Sequence, residues 1–467
     1  MKIILLTMVL LINVCAIAQN IGIGTETPLG KLHIKGSADT SQLVIDASAT
    51  QTANNPVILL RTAGGNELFR IHADNPSDLF IGSQAGLLNQ GSINYTNNTF
   101  IGSTTGVLNS TGYGNTAVGS SALTQNSSGA ENVAIGYTSL YGNTEGSGNT
   151  ALGYGTLSGN TWATKNTAIG WSVLYNSTGV SNTAVGAAAM KNNHAGYINT
   201  AVGVNALFNN SGADASNNTG IGVATLYNTT NSQFNTALGH YAGSKFNNGY
   251  NNVFLGANTD VSAAGFFNVI AIGQGTICTA SSQVTIGNGA TNAYRAYANW
   301  SNISDGRFKK NIQENVPGLD FITQLRPVTY NLKATELDNF LHPADNTLQR
   351  NDNVADAKSG GNERIAAAPS NESAKAAISK ALQQKEQVIQ TGFVAQEVEA
   401  TAKKMGFNFS GIDAPASAND VYGLRYAEFV VPLVKGMQEQ QVMIKKQDAL
   451  IASLQQQINA LKTMIKK

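Results

Sequence analysis

Apolar positions in this chain recur at one long interval. From about Gly82 to Gly287 the phrase Asn-Thr-Ala-Val-Gly, or a close relative, returns again and again, as in Asn115–Gly119, Asn149–Gly153 and Asn166–Gly170. The closing glycines are Gly102, Gly119, Gly136, Gly153, Gly170, Gly186, Gly203, Gly222, Gly239, Gly256, Gly273 and Gly287. They set a repeat with a period of roughly 17 residues. The residue before each glycine is branched and apolar (Val118, Ile135, Leu152, Ile169), and the one before that is usually alanine (Ala117, Ala134, Ala151, Ala168). Neighbouring strand residues point to opposite faces, so each short predicted strand carries a branched face and a small one. A strand apolar on both faces is normally covered on both. One face is expected to line a solenoid interior. The other is expected to meet a second chain, with the alanines and glycines letting backbones come close.

A second apolar position falls four residues after the glycine, at Leu123, Leu140, Leu157, Leu174, Met190, Leu207 and Leu226. It predicts another inner edge for each coil, closed by turns such as Asn126-Ser127-Ser128-Gly129. Asn98, Asn115, Asn132, Asn149 and Asn166 begin the strands and should stack as a hydrogen-bonded ladder. A fixed period over such a length predicts stacked supersecondary units rather than a globular catalytic core. The expected fold is mainly β, a parallel β-solenoid (β-roll) fibre over 82–300.

Before the array, residues 19–81 read as a β capping module, with Lys31-Leu32-His33-Ile34, Val57-Ile58-Leu59-Leu60 and Leu68-Phe69-Arg70-Ile71 as short strands. Such a cap protects the sheet edge. Residues 1–18 read as a signal peptide: Lys2, the apolar run Ile3–Ile17, then Ala16-Ile17-Ala18 ahead of a cut after Ala18. The run is short for a membrane span, so a secreted or cell-surface protein is expected, with no membrane span in the mature chain. Cys15 then leaves with the signal and Cys278 stays alone, which excludes an intrachain disulfide.

Charge divides the chain. From Gly146 to Gly243 the only Asp, Glu, Lys or Arg residues are Lys165, Lys191 and Asp214, whereas charged side chains are frequent from Ser304 onward. This step places a boundary near 300. The net charge is +1, without a basic block in the repeats, so no nucleic-acid partner is expected. The five histidines (His33, His72, His194, His240, His342) are scattered, and neither a metal site nor a cofactor is expected. Scarce carboxylates in the repeats argue against a glycosidase pair. At the C-terminus a heptad runs through Met437, Ile444, Ile451, Ile458 and Ile465 on one seam, and Leu433, Gln440, Gln447, Leu454 and Leu461 on the other. It predicts a parallel coiled coil over 433–467. Isoleucine on one seam with leucine on the other favours two strands by the general rule, and the glutamine layers weaken that preference.

The repeats, with their Asn-Thr-Ala-Val-Gly phrases, resemble the head repeats of trimeric bacterial surface adhesins, which are left-handed parallel β-rolls packed three chains together. The period here is longer than is typical of those heads. Four later blocks are more specific: Ser304-Asp305-Gly306-Arg307-Phe308-Lys309-Lys310, Leu325-Arg326-Pro327-Val328-Thr329-Tyr330, Gly392-Phe393-Val394-Ala395-Gln396-Glu397 and Tyr422-Gly423-Leu424-Arg425-Tyr426. In this order, ahead of a coiled coil, they resemble the intramolecular chaperone (peptidase S74) domain that ends many phage tail spikes. The resemblance covers about 304–467 and implies an α+β chaperone domain over 304–432, with an insertion at about 334–390, and a homotrimer. It also implies self-cleavage at Ile303–Ser304, with Ser304 as nucleophile, Lys309 as general base, and Asp305, Gly306 and Arg307 holding the turn.

A serine hydroxyl needs a base within hydrogen-bond reach, and five residues along a helix stand about 140° apart. The segment must therefore turn, which Gly306 permits, or the lysine must come from a neighbouring chain. Lys310 is an alternative base. On the local residues alone, Ser304 or Asp305 reads first as the cap of a helix starting near Arg307, and it is the resemblance that turns the reading toward cleavage. Two functions follow. One is a secreted trimeric fibre or adhesin, matured by a self-cleaving chaperone and directed at an unidentified surface or glycan ligand. The other is a non-cleaving structural fibre whose C-terminal domain only registers the chains.

Overall fold

A computed structural model describes residues 21–23, 25, 32–34, 43, 45, 56–72, 77–89, 96–341, 372–418 and 420–465. The signal peptide expected at 1–18, Cys15 within it, and the inserted stretch 346–370 lie outside these residues. The expected mainly β, parallel β-solenoid architecture is present, followed by a largely helical C-terminal region. A single 15-stranded sheet runs the length of the array. From Leu79–Ile81 to Val284–Ile286 its three-residue strands pair in parallel, with equivalent positions in identical register from coil to coil. At the N-terminal end Glu67–His72 lies antiparallel to both Ile58–Arg61 and Leu79–Ile81, so the growing edge becomes a hairpin.

The face assignment differs from the expectation at one point. Ala117, Ala134, Ala151, Ala168, Ala184 and Ala201 are fully buried inside the coil, not at chain contacts. It is the branched residues Ile135, Leu152, Ile169, Val202, Ile221, Leu238 and Leu255 that face outward, as an exposed apolar stripe along the fibre. The reason is volume. The inward alanines share the interior with the leucines four residues past each glycine, and Leu123, Leu140, Leu157, Leu174 and Leu207 fill it with none of their surface exposed. To point inward these leucines take φ of 49° to 52°, a left-handed conformation costing about 1–2 kcal/mol each. Burial of the side chain and a bond to the next coil, such as Leu157 N to Val173 O at 3.0 Å, offset it.

Where the strand carries phenylalanine, a leucine position nearby shrinks to glycine. A Cβ on Gly86 would lie 2.8 Å from the Phe80 ring, one on Gly106 2.6 Å from Phe100, and one on Gly243 2.9 Å from Phe254 of the next coil. Large-small pairs thus hold the interior volume nearly constant along the array. The closing glycines have a separate cause: Gly153 has φ +129°, and a Cβ there would come within 1.8 Å of the Gly170 carbonyl oxygen of the next coil.

Two internal amide ladders run along the coils. In the expected one, Asn149 Nδ2 donates to Asn132 Oδ1 at 3.1 Å and to Ala163 O at 2.9 Å, and its own Oδ1 accepts from Asn166 N at 3.0 Å. The second ladder joins Asn109, Asn126, Asn143 and Asn160 by Nδ2-to-Oδ1 bonds of 2.7–2.8 Å. Asn126, read from sequence as a turn residue, is a buried ladder member. Carboxamides suit this position because each supplies donor and acceptor along one axis without charge.

The last three of the four C-terminal blocks, far apart in sequence, close around one small core of Phe321, Val398, Ala402, Phe409 and Phe429, with Leu325, Phe393 and Leu424 packed against it. Val328–Asn331 pairs antiparallel with Ile389–Gly392, Phe393 stacks on Phe429 at 5.3 Å, and Arg326 ion-pairs with Glu397. Between those strands the insertion contributes helices Ala334–Leu341 and Glu372–Glu386. They sit at the end of the array, where Lys385 Nζ donates to Gly289 O and Thr291 O, both at 3.0 Å. The last helix, Val430–Ile465, is docked near its start, where Glu439 Oε2 accepts from Leu319 N at 2.8 Å. Its heptad residues Met437, Ile444, Ile451, Leu454, Ile458 and Leu461 are exposed in the single chain.

Candidate functional site

Between the last coil and the helical core, the chain from about 291 to 315 runs almost wholly exposed. Trp300 is 88% exposed, Ile303 97% and Phe308 80%. Within it, Gly306–Phe308 makes one 3-10 turn. Asp305 is the N-cap: its Oδ1 accepts from Arg307 N at 2.9 Å and its carboxylate pairs with the Arg307 guanidinium. That pairing holds the Asp305 carboxyl below the usual carboxylate range and raises the guanidinium further. Lys309 leaves the turn in extended conformation.

The consequence is a reversal of the side-chain direction over five residues. Lys309 Nζ comes to 2.8 Å from Ser304 Oγ within the same chain, as donor to the hydroxyl. A continuous α-helix would have held the two groups on different faces. Of the two candidate bases, Lys309 is the one that reaches Ser304. The helix-cap role falls to Asp305, which leaves the Ser304 hydroxyl to the lysine. Gly306 is not what permits the turn. Its φ is not positive, and a Cβ there would meet nothing within 4 Å; the Asp305 cap and its ion pair with Arg307 shape the segment instead.

Chemically, a hydroxyl beside an amine is a nucleophile–base pair once the amine is neutral. The carbonyl that Ser304 would attack is that of Ile303, the residue before it. Among the described residues no group of three or more His, Cys, Asp or Glu side chains is placed to hold a metal, and no helix is long and apolar enough to cross a membrane.

Sequence reasoning missed Lys385 and Glu439, which tie the C-terminal region to the array and to its own last helix. Their only sequence signals are a lysine ending a helix and a glutamate shortly after Gly436, neither distinctive. No curated protein matches the chain. Residues 304–347 match the peptidase S74 family model, described as the chaperone of endosialidase. The matched stretch opens on Ser304, includes Lys309, and follows the solenoid after the exposed stretch from about 291; the chain thus has the tail-spike type of architecture, a β-solenoid with a segment similar to the chaperone-of-endosialidase family behind it.

Proposed function

We propose that this protein is an exported trimeric fibre whose C-terminal module registers three chains, then severs itself at Ile303–Ser304. The observation that carries the cleavage is the 2.8 Å approach of Lys309 Nζ to Ser304 Oγ at the first residue of the chaperone-like segment. Association is supported by three apolar surfaces that a lone chain leaves in water: the stripe of branched residues, the heptad face of Val430–Ile465, and Trp300, Ile303 and Phe308 around the dyad. Three as the partner number rests on similarity to the family. Export rests on the signal-like segment 1–18.

Self-cleavage would run as follows. Neutral Lys309 takes the Ser304 hydroxyl proton while Oγ adds to the Ile303 carbonyl carbon, closing a five-membered ring. The C–N bond then breaks and the proton passes to the Ser304 nitrogen, leaving Ile303 esterified to Oγ. Water hydrolyses the ester, restoring the hydroxyl and giving an Ile303 carboxylate and a free Ser304 amine. A lysine is neutral near pH 7 only when burial or neighbouring positive charge disfavours its charged form. Both residues are exposed in one chain, so packing of neighbouring chains over Trp300, Ile303 and Phe308 is the step that activates the amine. Cleavage is thereby made conditional on assembly. The departing chaperone leaves the fibre trapped in its assembled state.

The same exposure favours the second reading, a non-cleaving fibre in which Asp305 merely caps a turn. Mass spectrometry of the mature protein, with N-terminal sequencing of any small fragment, separates the two. A fragment starting at Ser304 is expected, lost in Ser304→Ala with trimers intact, and lost in Lys309→Arg because a guanidinium stays protonated. An uncut wild-type chain, or a Ser304→Ala chain still cut at the same bond, overturns the dyad.

A further inference from the structure

Four consecutive coils near the middle of the array carry a groove of about 610 Å³ parallel to the fibre axis. One wall is the column six residues after each closing glycine: Asn192, Asn209, Asn228 and Lys245. The other is the column eight residues after: His194, Ser211, Thr230 and Asn247. The residues between them, Asn193, Asn210, Thr229 and Phe246, are fully buried and turn inward. In earlier coils the first column is Leu88, Leu108, Gln125, Gly142, Gly159 and Asn176, so the hydrogen-bonded run of carboxamides that leads to Lys245 belongs to these four coils. The coil from Gly203 to Gly222 is also two residues longer than the coil on either side, and its extra residues follow Ser211 at the groove's rim, with the exposed Asp214 among them but outside the groove lining.

We propose that this groove binds an extended acidic polysaccharide. The carboxamides are set in advance: Asn192 Nδ2 donates to Asn209 Oδ1 at 2.9 Å, and Asn209 Nδ2 to Asn228 Oδ1 at 3.0 Å. Each amide carries two N–H donors and two lone pairs, so the ladder leaves groups over for the hydroxyls of a sugar. Phe208 and Tyr227, which precede Asn209 and Asn228 in the chain, stack with their rings 5.1 Å apart and only 1° from parallel, which holds the two middle members of the ladder in register. None of the eight lining residues is acidic. His194 and Lys245 stand at opposite ends, three coil spacings or roughly 14 Å apart, a separation that fits carboxylates spaced along a chain rather than one small anion.

Lys245 forms no salt bridge among the described residues. Its backbone N–H donates to Asp260 Oδ2 at 2.9 Å, and burial pushes that carboxyl up to about 7, so the charge beneath Lys245 is reduced at neutral pH and quenched below it. With one lysine the groove must bind mainly through its carboxamides to sugar hydroxyls, which a nucleic-acid backbone does not offer at that density. The groove lies about half a coil around from the branched apolar stripe, so chains associating through the stripe leave it open. The site is complete within one chain, and its test does not depend on the proposed cleavage or trimer.

The experiment is calorimetric titration of the full-length protein with oligogalacturonate, with maltohexaose as neutral control and a single-stranded DNA oligonucleotide as polyanion control. Oligogalacturonate should bind and the two controls should not. Lys245→Gln should weaken binding about tenfold, the loss of one charge-assisted contact. Ser211→Trp should abolish it by filling the groove, with thermal unfolding unchanged for both variants. Absence of oligogalacturonate binding to the wild type, equal binding of either control, or undiminished binding by both variants would overturn the assignment.

Discussion

The volume matching between strand alanine and inner leucine can be tested by moving it to a new coil. Ala151 and Leu157 lie in a coil whose neighbours have the same pairing, and both are fully buried. Ala151→Phe alone inserts a ring where Leu157 already fills the space, an overpacking cost of about 1–3 kcal/mol. Leu157→Gly alone opens a cavity, with about 2–5 kcal/mol lost for a leucine truncation. Relief of the left-handed backbone at Leu157, φ 52°, returns about 1–2 kcal/mol. Together the two changes recreate the Phe100–Gly106 pair of an earlier coil. If the sites were independent the losses would add, to about 2–6 kcal/mol. Complementarity instead predicts a double variant less destabilised than Leu157→Gly alone, with a coupling of about 2 kcal/mol or more. Denaturant unfolding of the four proteins measures this directly, with unfolding rates replacing midpoints where refolding is hysteretic. Additivity within about 0.5 kcal/mol would refute the idea that interior volume is conserved pairwise.

Three further outcomes are expected. Asn149→Leu strips the buried ladder of its bonds to Asn132, Ala163 and Asn166; at about 1–3 kcal/mol per orphaned partner, the array should unfold in two blocks around that coil, seen as loss of hydrogen-exchange protection centred there. His72 is buried against Phe80 with neither ring nitrogen hydrogen-bonded among the described residues, and burial, aided by the Arg70 charge, lowers its pKa from 6.5 to about 4. Because the unfolded chain takes up the proton first, stability should be unaffected by His72 above about pH 6.5 and fall by about 1.4 kcal/mol per unit down to about pH 4. His72→Phe should remove that slope in urea midpoints compared with wild type across the same range, and an identical slope in the variant would be decisive against it. Placing aspartate at Ile135, Leu152 and Ile169 together should leave the coil folded but prevent association, whereas Ala151→Glu should unfold the coil itself; sedimentation and circular dichroism distinguish these, and a triple variant that still assembles normally would remove the stripe from the interface.

Periodicity made most of the fibre readable from the chain alone. Each coil places Asn149, Ala151, Leu152, Gly153 and Leu157 in the same surroundings as their counterparts one coil away, so one local rule is written many times. The parallel sheet, the strand-start ladder and the inner leucines were legible for that reason. Which apolar face turns inward was not. Alternation along a three-residue strand is symmetric, and only the closure of the coil, with Leu157 in a left-handed conformation inside it, put Ala151 in the interior and Leu152 outside. The second ladder hid for a similar reason, because Asn126 in a Ser/Gly-rich stretch carries the local signature of a turn. Ser304 and Lys309 were legible as residue types at a family spacing, but their meeting depends on a turn set by the Asp305–Arg307 pair. No spacing rule encodes that distance. The groove over Asn192, Asn209, Asn228 and Lys245 is more tertiary still: stacking brings into one column side chains that lie a full coil apart along the chain, so a surface invisible in the sequence becomes continuous across it.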